Sequence, residues 1–201
     1  MAGERVPFVW FVDAFLLRTG VNKVSAVREA KEGLHPERDF YKPLRERIVQ
    51  MHQKGGDGSV LDGLLTEIQD ERKKRFYPAD IAGYRRFLDA SKPEEWIAPP
   101  KAPLQIGNLE LDVQPDLGLV IGGRKHLLLL QFGQRRSPAP RVSALLNIMY
   151  AALRPVAPDA TFGVLDVQNA RLHTLKAVPN PRLHVLLRGE GAAFEAICGA
   201  V

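Results

Sequence analysis

Apolar residues recur at helical spacing through roughly the first ninety positions and fall towards every second position beyond them, so the chain changes character near its middle. "PFVWFVDAFLLRTG" sets Phe8, Phe11, Val12, Phe15 and Leu16 on one face, with Gly20 as a left-handed stop. "NKVSAVREAKEG" predicts a short helix capped by Asn22 and ended by Gly33. "RDFYKPLRERIVQMHQKGG" spaces Leu44, Ile48 and Met51 for another, with Pro43 tolerated in or near the first turn. "SVLDGLLTEIQDERKKRF" predicts a helix with a box-like start at Ser59 and Asp62 and a stripe of Leu61, Leu64, Leu65 and Ile68. "PADIAGYRRFLDA" predicts the next, on Ile81, Tyr84, Phe87 and Leu88, and "SKPEEW" a short helical turn boxed by Ser91 and Glu94.

Three prolines in "IAPPKAP" cannot propagate a helix and mark the boundary between a helical region, 1–98, and a sheet region, 99–201. The helix over 78–98 could pack with the second part as one domain. In "LQIGNLELDVQ", Leu109, Leu111 and Val113 alternate with Glu110, Asp112 and Gln114, the pattern of a half-buried strand. "LGLVI" and "HLLLLQF" predict two more strands around a Gly122-Gly123 turn that carries Arg124 and Lys125. The unbroken Leu127–Leu130 run predicts a strand covered on both faces. A helix follows in "APRVSALLNIMYAAL", with Val142, Leu145, Ile148 and Met149 inward, then a strand pair in "TFGVLDVQ" and "RLHTLKAV". A last helix begins at "PRLHVLL", weakened in its middle by Gly189 and Gly191. The fold class is α+β: an N-terminal helical region, then a mixed β-sheet flanked by helices.

Composition narrows the classes. The content of 45% hydrophobic and 25% charged residues suits a globular protein and argues against wholesale disorder. Cys198 is the one cysteine, which excludes a disulfide framework and a cysteine-based zinc site. The five histidines show no paired metal spacing. The apolar opening is interrupted by Asp13, too short to span a membrane and poor as a secretory signal, so no membrane partner and a cytoplasmic location are expected. The net charge of +5 is uneven: 17 lysines and arginines face 16 acids in residues 1–100, and 11 face 7 in the remainder. A basic second half suits a polyanionic partner, but modestly.

The order helix, three strands, helix, strand, with the "PD" of "QPDLG" between the first two strands, resembles the PD-(D/E)XK nuclease superfamily across roughly residues 78–168. The resemblance implies a nuclease-like β-β-β-α-β core in which the PD aspartate, here Asp116, and a later acid bind a divalent metal while a lysine helps position or activate water. The later motif falls in "HLLLLQFGQ". Its acid position is Leu129 or Gln131 and its lysine position Gln131 or Gly133, depending on register. None of these is a carboxylate or a lysine. Mg²⁺ wants charged oxygens, and one carboxylate with a neutral amide holds it weakly. Asp112 or Glu110 could migrate into the ligand role. Arg135 could replace the lysine's charge but cannot shuttle a proton at neutral pH. Catalysis is not expected, nor a cofactor; Mg²⁺ enters only if displaced ligands restore a nuclease.

Beside the ligand reading stands an ordinary one, in which Pro, Asp and Gly within four residues are turn chemistry, and for Asp116 it carries the greater weight. His126, His173 and His184 lie in apolar runs and read as packed or edge residues. The candidate phosphate contacts are Arg124, Lys125, Arg135, Arg136 and Arg141. The run Arg72–Arg75 reads first as a helix end that complements the dipole. Three functions follow: a non-catalytic nuclease-like protein that binds DNA or RNA or sits in a nucleic-acid-handling complex; a protein-interaction module, anchored by "FVWF" if that stretch is exposed; and a metal-dependent nuclease with displaced ligands.

Overall fold

The computed structural model describes residues 4–33, 39–133, 137–175 and 180–201. A short strand β1 (Arg5–Pro7) leads into α1 (Phe8–Trp10), which continues as a π-helical turn over Phe11–Leu16. Then come α2 (Val21–Glu32), α3 (Lys42–Gln53), α4 (Val60–Glu67) and α5 (Glu71–Ser91). The remainder runs β2 (Glu95–Trp96), β3 (Ala102–Ile106), β4 (Leu109–Val113), β5 (Leu117–Ile121), β6 (Arg124–Gln131), α6 (Ala139–Leu153), β7 (Thr161–Asp166), β8 (Arg171–Thr174) and α7 (Pro181–Ala200). The α+β class holds. The expected order of three strands between two helices does not hold: "LQIGNLELDVQ" is a hairpin of β3 and β4, β2 precedes it, and five strands separate α5 from α6. They divide between two sheets: β4 lies between β1 and β3, while β5 and β6 belong to a second sheet of order β2-β5-β6-β7-β8. No single meander therefore contains β4, β5 and β6. β1 is an unforeseen parallel partner for β4, with Val6 opposite Leu111.

β6 organises the core. It pairs antiparallel with β5 through the Gly122-Gly123 turn, where both residues have positive φ, and parallel with β7. Its side chains alternate between two apolar clusters. Leu127 and Leu129 join Leu145, Ile148 and Met149 of α6, Phe11 and Phe15 of the opening turn, and Phe194 of α7. Leu128 and Leu130 join Leu44 and Ile48 of α3, Leu61 of α4, and Tyr77, Ile81 and Tyr84 of α5. The N-terminal helices thus share their core with the sheet. "FVWF" supplies core rather than an exposed anchor, since Phe8 and Phe11 are buried. Among the described residues no helix is long and apolar enough to cross a membrane.

Four helix boundaries differ from the periodicity. Gly20, not Asn22, sits at the N-cap of α2. The stretch expected as one helix from Ser59 to Phe76 breaks at Ile68–Asp70, where the Asp70 carboxylate accepts from the N–H groups of Arg72 (2.8 Å) and Lys73 (3.3 Å). Arg72–Arg75 therefore open α5 instead of closing a helix. α5 then runs through Pro78, because the packing of Tyr77, Ile81 and Tyr84 outweighs one missing hydrogen bond. Ser91 and Glu94 form no capping box. Ser91 Oγ donates to the Phe87 carbonyl (2.6 Å), and Glu94 N–H donates to Val120 O (2.9 Å) at the start of strand pairing.

α5 presses closely on the turn after β7. A Cβ on Gly83 would lie 2.2 Å from the Val167 carbonyl oxygen and 2.5 Å from that of Gln168, both fixed backbone. Gly63 in α4 meets nothing closer than 3.8 Å. Urea unfolding of Gly83→Ala should show a loss of about 3 kcal/mol, the upper range for overpacking. Gly63→Ala should gain up to ~1 kcal/mol from helix propensity. Equal effects at the two sites would refute the close approach.

Candidate functional site

Where β4 ends and β5 begins, the chain turns past the C-terminal end of β6 and leaves a cleft of about 690 Å³. Asp116 and Gln131 both line it, together with Asp13, Asp39, Asp112, Tyr41, Arg45 and Arg141. Asp116 does not serve its own turn. Its Oδ2 accepts from Leu130 N–H at 2.7 Å, where the β5–β6 ladder has run out, so the carboxylate ends the ladder in place of a backbone carbonyl. Its Oδ1 lies 3.1 Å from Arg45 Nε. This contact is ionic, because Nε lacks the alignment of a hydrogen bond. Burial pushes the Asp116 pKa up to about 6, against the opposing pull of Arg45 and Leu130 N–H.

Arg45 comes from α3, on the flank of the Leu44–Ile48 stripe. Its guanidinium also pairs with Asp39 and lies 5.5 Å from the centre of the Phe132 ring. Burial works against its charge, but Asp116 and Asp39 more than offset this, and its pKa lies above the ordinary arginine value. Gln131 is equally engaged. Its carbonyl oxygen accepts from Arg141 Nη1 (2.6 Å) and from Ser137 Oγ. Arg141 in turn holds Asp13 through Nε (2.6 Å) and Nη2 (2.8 Å), a two-pronged pair.

These contacts decide the fit to a divalent cation. Asp116 Oδ2 and Oδ1 face a backbone N–H and a guanidinium, and the Gln131 oxygen is occupied by donors. Asp112 Oδ2 pairs with Lys101 (2.8 Å) and Arg5 (3.6 Å); Asp112 Oδ1 is buried without a hydrogen-bond partner among the described residues. Mg²⁺ takes one or two uncommitted carboxylates, with waters completing an octahedron, whereas here Asp39 and Asp116 are engaged by Arg45, Asp13 by Arg141 and Asp112 by Lys101 and Arg5. Among the described residues no three His, Cys, Asp or Glu side chains gather as a metal-binding group.

The other sequence candidates do not converge here. Arg124 and Lys125 are exposed at the opposite end of β6, seven residues and so about 23 Å from Gln131. Arg135 and Arg136 lie outside the described residues. Arg141 reaches the cleft but is committed to Asp13 and Gln131. Residues that the one-dimensional pattern did not single out are Arg45, Asp39, Tyr41 and Asp80. Asp80, on α5, is 1% exposed, and its Oδ1 accepts from Gly133 N–H at 2.9 Å. Its Oδ2 is buried with no hydrogen-bond partner among the described residues. Burial, helped by the nearby charge of Asp166, pushes its pKa up to about 6.

Two further clefts hold other titratable groups. The larger, about 1080 Å³, lies by the α3–α4 loop, where His52 Nε2 and the Tyr84 hydroxyl are 2.6 Å apart. Burial lowers the His52 pKa to about 4, so this imidazole is neutral near pH 7. The smaller, about 570 Å³, lies between α6 and β8 and includes Asp166 and His173. Burial, with Arg171 nearby, lowers the His173 pKa.

A carboxyl whose folded pKa exceeds its unfolded value makes the native state hold more protons than the unfolded chain, so stability falls as pH rises through that interval. For Asp80 the interval runs from the ordinary carboxyl value of 3.8 to about 6. Asp80→Asn keeps an oxygen for Gly133 N–H and removes the titration. Urea melts from pH 4 to pH 7.5 should show the wild type losing about 2 kcal/mol relative to Asp80→Asn across that interval. Parallel profiles would mean that Asp80 titrates normally.

Against models of known families and against curated proteins, the chain matches no family model and no curated relative.

Proposed function

We propose that the chain is a non-catalytic, nuclease-like protein that binds nucleic acid or works within a nucleic-acid-handling complex. The observation that carries the non-catalytic half is Arg45: a fixed guanidinium stands against Asp116, where a metal-dependent site would need a free carboxylate. Kinship with the PD-(D/E)XK superfamily is supported by the run β4, β5, β6, α6, β7, which β2 and β3 separate from α5, and by Asp116 and Gln131 lining one cleft. The division of those strands between two sheets weighs against it.

With its side-chain charges counted, the cleft is acidic. Asp13, Asp39, Asp112 and Asp116 face Arg45 and Arg141, so phosphates have no attraction to its interior. Nucleic-acid contact belongs to basic surfaces outside it. A protein-interaction reading has one observation in its favour: Val185 and Leu186 of α7 are 70% and 49% exposed.

Purified protein incubated with plasmid, single-stranded DNA and RNA in Mg²⁺ or Mn²⁺ should leave all three intact. It should be retained on a nucleic-acid column in a salt-sensitive manner. Metal-dependent cleavage that Asp116→Ala abolishes, with the fold preserved, would replace this reading by that of an active nuclease. Absence of retention, with one protein co-purifying after nuclease treatment, would favour the interaction module.

A further inference from the structure

The first turn of α5 carries Arg72, Lys73, Lys74 and Arg75 directly after two acids, Asp70 and Glu71. The acids suit that position: Asp70 caps the helix, and Glu71 sits where the helix dipole favours negative charge. The cations do not. The positive end of the dipole opposes them, and they oppose one another, so helix stability gives no reason for four in succession. Only Lys74 is drawn to a carboxylate of its own turn, Glu71, at 2.8 Å.

The same turn is interleaved with aromatic rings. The Arg72 guanidinium and the Lys73 ammonium lie 5.7 and 5.9 Å from the centre of the Phe40 ring, and Arg75 lies 5.7 Å from that of Phe76. Phe40 and Phe76 are half-buried and meet edge to face at 6.3 Å. Beneath them the stack is fixed. Tyr77 touches Phe40 at 5.7 Å and lies parallel to Tyr41 at 5.8 Å, and its hydroxyl donates to the Phe40 carbonyl at 2.5 Å. The two outer rings therefore rest on a rigid base and are ringed by positive charge.

We propose that this basic–aromatic surface, formed by Phe40 and Phe76 with Arg72, Lys73, Lys74 and Arg75, binds single-stranded nucleic acid. The cations meet phosphates, and the rings offer a platform for unpaired bases. A duplex presents phosphates too, but its base faces are stacked away, so the rings add nothing for it. The inference deepens the proposed function and rests on its nucleic-acid half.

The test is fluorescence anisotropy of the full chain with labelled oligothymidylate, with a duplex of the same length, and over a salt series. Single-strand binding tighter than duplex binding is expected. Phe76→Ala should weaken the single strand about ten-fold, the loss of one stacked base, and leave the duplex nearly unchanged. Arg72→Gln with Arg75→Gln should lower the salt slope by about 1.4, at about 0.7 per phosphate contact. Thermal melts matching the wild type establish that both variants fold. Loss that follows Arg124→Gln with Lys125→Gln, and not these variants, overturns the assignment and leaves nucleic-acid binding standing. Absence of binding to either nucleic acid, including the case where only vesicles of anionic phospholipid are bound, overturns both.

Discussion

Withdrawing a carboxylate from water carries a penalty that only nearby opposite charge or donated hydrogen bonds can offset, and this constraint governs the C-terminal end of β6. Asp116 holds the Leu130 N–H and Asp80 the Gly133 N–H, so two carboxylates pin the strand end and the residues just beyond it. Both have pKa values near 6 because burial dominates. Arg45 answers Asp116 from α3, and Arg141 answers Asp13 from α6. The result is an acidic cleft whose two cations are both engaged by its own carboxylates.

The aromatic residues connect this closed cleft to the open surface. Tyr41 lies parallel to Phe132 on one side and to Tyr77 on the other, at 5.1 and 5.8 Å, and Phe40 lies against Tyr77. Arg45 at one end of this row faces Phe132, whereas Arg72 and Lys73 at the other face Phe40. A single row of rings thus separates an acidic interior, with its cations already paired, from a basic rim.

The sheet was the most legible part of the chain. Alternation, the Gly122-Gly123 turn and the Leu127–Leu130 run located β4, β5 and β6, because a pleated strand writes its burial into every second residue. The sheet to which β4 belongs was not legible, since its partner β1 is three residues long and lies more than a hundred positions away. The boundary between α4 and α5 was misread for a related reason. Pro78 is a strong local signal for a break, yet tertiary packing carries α5 through it, while Asp70 stops one helix and starts another. That shift moved Arg72–Arg75 from a helix end that welcomes cations to one that does not. Asp116 was found through its Pro-Asp dipeptide, but Arg45 was not. A charged residue on the flank of an amphipathic helix carries no mark of the distant carboxylate it meets.

The most direct test is a double-mutant cycle on Arg45→Gln and Asp116→Asn, followed by urea unfolding at pH 8 and pH 5. If Arg45 is the resident counter-charge of the cleft, the cycle should give a coupling of at least ~1 kcal/mol at pH 8, where Asp116 is ionised. The coupling should shrink towards zero at pH 5, below its raised pKa. Additive effects at pH 8, or a coupling indifferent to pH, would contradict it.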